Sequence, residues 1–311
     1  MTSVTARVPA KINLQLAVGP LRPDGYHGLV TVFHAISLFD EVTVAAAGTD
    51  SVTVAGEGAA HVPADGDNLA LRAVRALREE IAARDGAAPD AGLDGRAGIA
   101  VSIRKRIPVA GGLAGGSADA AAALVACNEL WQAALSAQQL CEVASRVGSD
   151  VAFAVLGGTA VGRGRGEQLS PALAAPATYH WVLAFADGHL STPAVYAALD
   201  RLRPDAREPG LDAELMAALR AGDAGRVGAS LSNDLQTPAL GMFPALRKTL
   251  AAGREFGALG AQVSGSGPTC FFLARDQRHA ADLAVALSSA GVCRAVATAT
   301  GAAPGASLIA S

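Results

Sequence analysis

The residues most suggestive of chemistry form one short run, Pro108-Val109-Ala110-Gly111-Gly112-Leu113-Ala114-Gly115-Gly116-Ser117-Ala118-Asp119. Four glycines between an expected strand and an expected helix let backbone N–H groups converge at a helix N-terminus, where unpaired donors and the helix dipole favour an anion. Small side chains at Ala114 and Ala118 would let phosphate groups come close. A plain turn with a Ser or Asp cap has the same composition. Two familiar phosphate loops are excluded. Gly111 to Gly116 has the G-x-x-x-x-G spacing of a Walker loop, but Ser117-Ala118 follows and the lysine is missing. Gly162-Arg163-Gly164-Arg165-Gly166 comes nearest to a dinucleotide fingerprint, yet it continues into Glu167-Gln168 and opens no convincing helix. A protein kinase would need V-A-I-K, H-R-D and D-F-G segments, and none is present. A second glycine cluster, Val263-Ser264-Gly265-Ser266-Gly267-Pro268-Thr269, lies between two expected strands and by itself reads equally well as a turn.

Charged residues are sparse enough to be informative. Only three lysines, Lys11, Lys105 and Lys248, stand among 25 basic residues. A chain that nearly always uses Arg for positive charge keeps a Lys where a compact ammonium is needed. Each still has an ordinary reading: Lys11 as a solvated strand residue, Lys105 as part of a surface run with Arg104 and Arg106, Lys248 as an exposed helix residue. Asp150, after Gly148-Ser149, has the look of a cap on a short helix.

The elements that must carry these residues follow from periodicity. Val4–Val8 and Ile12–Val18 read as strands, and alternation puts Lys11, Asn13 and Gln15 on one face, with the large apolar residues on the other. Arg22-Pro23-Asp24-Gly25 is a turn. Short strands are expected at Val30–Ile36, Glu41–Val44 and Ser51–Val54. A helix runs from Leu69 to about Arg84, capped by Asp67 or Asn68, and Gly86–Gly98 reads as a solvated loop. Strand Ile99–Ile103 leads through the glycine run into a helix from about Ser117 to Trp131, on which Ala120, Leu124, Cys127 and Trp131 share a face. A helix over Ala137–Val147 follows. The loop-like stretch Pro171–Pro176 divides the chain into 1–175 and 176–311. The second part should hold strands Tyr179–Phe185, Ala261–Ser264, Cys270–Ala274 and Val292–Ala297. Its helices are Pro193–Leu202, Asp212–Ala221, Pro244–Arg254 and Arg278–Ser289. Strands and helices mixed without strict alternation indicate an α+β fold in both parts.

Composition narrows the function classes. The chain has 311 residues, 51% hydrophobic and 17% charged, with a net charge of −3. That balance opposes disorder and offers no basic footprint for nucleic acid. No apolar run approaches the 18 or more residues of a membrane span, and the first residues lack the basic and apolar regions of a secretory signal. A cytoplasmic protein without a membrane or nucleic-acid partner is expected. Cys127, Cys141, Cys270 and Cys293 are too widely spaced for a C-x-x-C motif and read as buried thiols, and the histidines show no zinc spacing.

Together, Pro9-Ala10-Lys11-Ile12-Asn13-Leu14, the PVAGGLAGGSADAA run and the late SGSGPT loop resemble the three motifs of the GHMP small-molecule kinases, in the family's order and across nearly the whole chain. Arg22-Pro23-Asp24-Gly25-Tyr26-His27, Gly66-Asp67-Asn68-Leu69 and Gly148-Ser149-Asp150-Val151 resemble the branch acting on a CDP-linked methylerythritol of the non-mevalonate isoprenoid pathway. The resemblance implies two domains, one like ribosomal protein S5 and one ferredoxin-like, with the active site between them. It implies an ATP-dependent transfer to the 2-hydroxyl of that substrate. Residues Pro108 to Ala118 would cradle the ATP phosphates, with Asn68 and Lys105 at the adenine. Asp150 matches the catalytic aspartate, and Lys11 the lysine that partners it and the transferring phosphoryl. Tyr26 and Tyr196 would sandwich the cytosine, His27 would read its edge, Asn13 would sit near the erythritol, and Gly265, Ser266 and Gly267 near the phosphates or substrate. For Tyr196 the ordinary alternative is core packing. No acidic residue matches a magnesium ligand, so Mg²⁺ is expected to arrive on ATP. Ala152 stands where many relatives have Pro, and Ala110 and Ala114 where some have Gly. Kinases of homoserine, mevalonate or a sugar, and a non-catalytic nucleotide sensor, remain as alternatives. The D-G-Y-H segment separates the first group, since those substrates carry no cytosine.

Overall fold

The structure is a computed structural model that describes residues 3–84 and 98–309; the loop expected at Gly86–Gly98 lies almost wholly outside the described residues. In chain order the elements are β1 (Ser3–Leu21), β2 (His27–Ala46), β3 (Ser51–Gly56), α1 (Leu69–Arg84), β4 (Ile99–Lys105), α2 (Gly115–Leu130), α3 (Ala137–Val147), α4 (Ser149–Leu156), β5 (Thr159–Arg163) and β6 (Gln168–Pro171). The second part holds β7 (Tyr179–Phe185), α5 (Thr192–Leu202), α6 (Ala213–Ala221), α7 (Ala224–Ala229), β8 (Ser232–Asn233), α8 (Gln236–Met242), α9 (Leu246–Glu255), β9 (Gly260–Val263), β10 (Cys270–Ala274), α10 (Gln277–Ser289), β11 (Ala295–Gly301) and β12 (Ser307–Leu308).

Two sheets organise them. The first runs β12-β1-β2-β4-β3, with β5 and β6 continuing from β2 and β8 lying parallel to β1. The second is antiparallel in the order β11-β7-β10-β9. With α10 between β10 and β11, and helices between β7 and β9, that order is the split βαβ arrangement of a ferredoxin-like domain. The chain's last strand, β12, returns to pair with β1.

Where two strands were expected at the start there is one long strand, because register shifts at Pro9/Ala10 and Asn13/Gln15 bend β1 without ending it. The bend divides its apolar residues. Ile12 and Leu14 join a large cluster that runs from the first part into the second through residues such as Trp181 and Phe271, and Leu16 and Val18 join a separate core of the second part. β1 is therefore buried on both faces between Val8 and Leu16, and Lys11, Asn13 and Gln15 are enclosed rather than solvated. β2 likewise merges two expected strands. α2 presents Ala120, Ala121, Ala122, Ala123 and Leu124, all fully buried, and small side chains let it approach the sheet closely. Its expected face of Ala120, Leu124, Cys127 and Trp131 lies in the core. Helix α4 has no amphipathic period to betray it, being short and buried over Val151–Val155. The last long strand starts at Ala295, three residues later than expected, after the left-handed turn at Gly291.

Candidate active site

The glycine run connects β4 to α2 and takes positive φ at Ala110, Gly112 and Ala114. Ala114 stands at the cap position of α2 in left-handed conformation and supplies no side-chain cap. The first amides of a fully formed helix are thus left facing the cleft, an arrangement suited to phosphate. The second glycine cluster docks on the first. Ser264 Oγ donates to the Gly112 carbonyl at 2.9 Å, and the Thr269 amide donates to the Gly111 carbonyl. A Cβ on Gly112 would lie 2.1 Å from the Ser264 carbonyl oxygen, so only glycine fits there. Asn233, a residue that no motif marks, donates to the carbonyls of Val263 and Gly265, each at 2.8 Å, and so fixes the second cluster.

Lys11 and Asp150 meet in this cleft. Lys11 Nζ donates to Asn13 Oδ1 at 2.8 Å and lies 3.8 Å from Asp150 Oδ2. Asn13 Nδ2 donates to Thr31 Oγ1 at 2.8 Å, and Thr31 donates on to the Gln15 carbonyl. Gln262, from the second sheet, donates to the Asn13 carbonyl at 3.0 Å. Asp150 sits in the first turn of α4, its side chain about one-third exposed at 34%.

Three cavities join here. The central one, about 490 Å³, is lined by Lys11, Asn13, Asp150, Gly265, Ser266 and the loop from Ala110 to Ser117. Leu29, Arg165, Thr192 and Tyr196 are shared with a second, about 390 Å³, that also holds Tyr26 and His27. Leu69, Ala110 and Gly116 are shared with a third, about 260 Å³, that holds Asn68 and Lys105. Not every expected residue faces this space. Leu113 and Ala118 are buried in the first core, and the backbone of Leu113 contributes by accepting the Lys11 amide. Pro108 lines a separate hollow, to which Val109 also contributes while lining the third cavity. Gly267 turns the second cluster with φ +81, packed against Val263 and Leu190.

In the second cavity His27 Nε2 hydrogen-bonds Asp200 Oδ1 at 2.8 Å, and its ring packs on Tyr196 with centroids 5.1 Å apart. Burial and the nearby Asp150 charge push the Tyr196 hydroxyl up. One face of the exposed Tyr26 ring is covered by the Arg165 guanidinium, 3.8 Å from the centroid, and Arg165 also pairs with Asp24 at 2.9 Å. Arg165 belongs to the Gly162–Gly166 run, which sequence reasoning set aside because it matched no dinucleotide fingerprint.

Lys105 is not a surface charge. Its ammonium is buried between Asp40 Oδ2 at 2.6 Å and Asp119 Oδ2 at 2.7 Å. Burial pushes the Asp119 carboxyl up, to about 8, against the opposing pull of Lys105. Asp40 Oδ1 also accepts the Ile107 amide at 2.8 Å, fixing the chain where it enters the loop. Asn68 caps α1, taking the Ala70 amide at 2.9 Å and donating to the Pro63 carbonyl at 2.7 Å. Lys248 is exposed. Cys127 and Cys270 are buried free thiols, whereas Cys141 and Cys293 are only partly buried. Among the described residues, no group of three or more His, Cys, Asp or Glu converges on a metal position, and no helix is long and apolar enough to cross a membrane.

An uncapped helix N-terminus, two interlocked glycine loops and a lysine–aspartate pair between two α+β sheets define a phosphotransferase cleft. The chain belongs to the GHMP kinase family: the family's N-terminal domain matches residues 68–158 and its C-terminal domain residues 215–293. It is 56% identical to the 4-diphosphocytidyl-2-C-methyl-D-erythritol kinase of Thermobifida fusca, covering 99% of both chains. It is 52% identical to the enzyme of that name from Mycolicibacterium smegmatis, covering 99% of this chain and 92% of the relative. A crystal structure of 4-(cytidine 5′-diphospho)-2C-methyl-D-erythritol kinase superposes with a TM-score of 0.74 at 35% identity, over 95% of this chain and 98% of that one. A homoserine kinase from Cytophaga hutchinsonii, 18% identical with a TM-score of 0.72 over 99% and 98% of the two chains, shares the fold.

Proposed function

We propose that this kinase transfers the γ-phosphoryl group of ATP to the 2-hydroxyl of 4-diphosphocytidyl-2-C-methyl-D-erythritol, with Asp150 as general base and Lys11 as its electrostatic partner. The observation that carries the reading is that the phosphate cleft adjoins two further cavities through different sets of residues, one with Tyr26 and His27 and one with Asn68 and Lys105, each with room for a nucleobase. A kinase of homoserine or mevalonate would need only one.

In this reading the loop amides and the α2 N-terminus hold the phosphates of ATP. The acceptor hydroxyl lies between Lys11 and Asp150, whose 3.8 Å separation is beyond hydrogen-bond range. Asp150 takes the hydroxyl proton as the oxygen attacks, and the ammonium offsets charge on the transferring group. Asn13 orients the lysine. Mg²⁺ comes with ATP; the cleft offers the Ser117 hydroxyl and Asp150, a sparse set that suits a cation keeping phosphate and water ligands. His27, giving its Nε2 proton to Asp200, presents Nδ1 as an acceptor for the cytosine amino group. Tyr26 and Tyr196 supply stacking surfaces, and Arg165 is placed to meet the diphosphate. The enzyme works in the cytoplasm, where ATP is supplied.

The test is ADP release with Mg-ATP and the CDP-linked substrate, comparing wild type with Asp150→Asn. Wild-type turnover that falls at least about 100-fold in the variant supports the base role. Undiminished turnover in the variant keeps the substrate and removes Asp150 as base. No wild-type turnover, in folded protein that binds ATP, overturns the substrate and redirects the search to homoserine and mevalonate.

A further inference from the structure

Among the described residues lining the third cavity, one buried side-chain polar atom is left without a partner. Asp40, Lys105 and Asp119 bring two carboxylates to one ammonium, and Asp40 has both oxygens occupied, by Lys105 and by backbone amides. Asp119 uses Oδ2 for Lys105, but its Oδ1 is buried without a hydrogen-bond partner. The side chain is only 3% exposed, and a buried carboxylate oxygen left without a donor is costly. Of the other polar side chains lining this cavity, the buried ones are committed elsewhere, Asn68 to the cap of α1 and Lys105 to two carboxylates through two of its three N–H bonds, while His61 and Asp67 are exposed at its edge.

Asp119 lies one turn into α2, the helix whose uncapped N-terminus faces the phosphate cleft. A nucleotide with its phosphates at that terminus reaches this cavity along Leu69, Ala110 and Gly116, which line both spaces. We propose that Asp119 determines which purine nucleotide donates the phosphoryl group, its Oδ1 accepting a hydrogen bond from the exocyclic 6-amino group of adenine. The inference rests on the reading of the cleft as the phosphoryl-donor site. A 6-oxo purine would bring a second acceptor against the carboxylate, and a site built around one buried hydrogen bond rejects the analogue that cannot make it.

Nucleotide binding without any acceptor substrate tests this, so failure of the acceptor assignment would leave the experiment intact. Calorimetric titration at about pH 9, above the raised value of Asp119, compares ATP, inosine triphosphate and purine riboside triphosphate, which lacks the 6-substituent. Wild-type protein should bind ATP about 10- to 100-fold more tightly than either analogue, the range for a hydrogen bond to a charged group. Equal binding of ATP and purine riboside triphosphate overturns the proposal with no mutation involved. In Asp119→Asn the amide oxygen keeps Lys105 and the NH₂ turns to the cavity, replacing an acceptor by a donor. The ATP-to-inosine-triphosphate ratio should then fall at least about tenfold or invert. A variant that weakens both nucleotides equally would make Asp119 a structural residue only. No binding of any nucleotide to folded wild type would instead refute the donor-site reading.

Discussion

Gly112→Ala tests whether the two glycine loops work as one unit. The added Cβ would stand 2.1 Å from the Ser264 carbonyl oxygen and 3.1 Å from the Gly267 amide, at a φ of +76. Ordinary contact begins at 3.4 Å, so the Ser264 carbonyl must retreat by roughly 1.3 Å. The left-handed conformation adds about 1–2 kcal/mol for a residue with a side chain. Retreat of Ser264 breaks its bond to the Gly112 carbonyl and strains that of Thr269 to Gly111, each worth about 0.5–1.5 kcal/mol. The closed arrangement should lose about 2–5 kcal/mol in all. In a chain of this size that lowers Tm by roughly 3–8 °C. Gly265, whose own Cβ position is 3.7 Å from Lys11 Nζ, moves with the loop, and a shift near 1 Å at a reacting centre costs about 100-fold in rate. Thermal unfolding and single-turnover phosphoryl transfer measure the two effects. Gly241→Ala, where a Cβ meets nothing within 4 Å, is the control. Wild-type rate and Tm in Gly112→Ala would refute the view that this contact sets the cleft.

Lys105→Met should destabilise the protein by about 3–5 kcal/mol, because it strands two buried carboxylates; urea unfolding reads this directly, and a loss below about 1 kcal/mol would show that the cluster is held otherwise. The fully buried His34, whose ring burial holds down to about 3, should make stability pH-dependent. The unfolded chain takes up a proton below about pH 6.5 while the folded chain does not, so stability is whole above that value and drains as pH falls toward 3. The loss reaches on the order of 3 kcal/mol near pH 4.5, and it should be absent from the stability-versus-pH curve of His34→Gln.

Much of the fold and the site is legible in the sequence because short-range signals carry it. The glycine run, the isolated Lys11 and the Arg22–Gly25 turn are local patterns. Helix α3 and strands β7 and β10 have the bounds that their periodicity gives. What stayed hidden depends on partners far away in the chain. Asp40 has no motif around it and gains its meaning from Lys105, 65 residues on. Arg165 reads as a loop charge until Asp24 and Tyr26 arrive from 141 and 139 positions earlier. Alternation in β1 puts Lys11, Asn13 and Gln15 on one face. Lys11 and Asn13 do line the cleft, but the register shift after Asn13 turns Gln15 to Gly210 and Asp212 and brings Leu16 to the cleft instead. A period of two shows neither that shift nor the second sheet's cover. α4 escaped for the opposite reason: an element buried all round shows no periodic contrast.

A cleft between two domains invites the idea of a hinge that closes on substrate. Here the connections oppose one. β1 contributes Leu16 and Val18 to the core of the second part, and Ile12 and Leu14 to a cluster that itself joins both sheets through Trp181 and Phe271, so any rotation between the sheets must disrupt shared packing. Gln262 grips the Asn13 backbone beside the lysine, Ser264 grips Gly112, and Arg294 pairs with Glu57 at 2.6 Å across the same boundary. Rotation would have to break these contacts together, while β12 ties the chain's last strand back to β1. Lys11 and Asp150 therefore already stand 3.8 Å apart without a substrate, which in the proposed mechanism is the condition for electrostatic stabilisation without reorganisation. The adjustable parts lie at the rim, where exposed Arg165 rests on exposed Tyr26. Movement of that one side chain opens the aromatic surface and leaves the lysine, the aspartate and both glycine loops where they are.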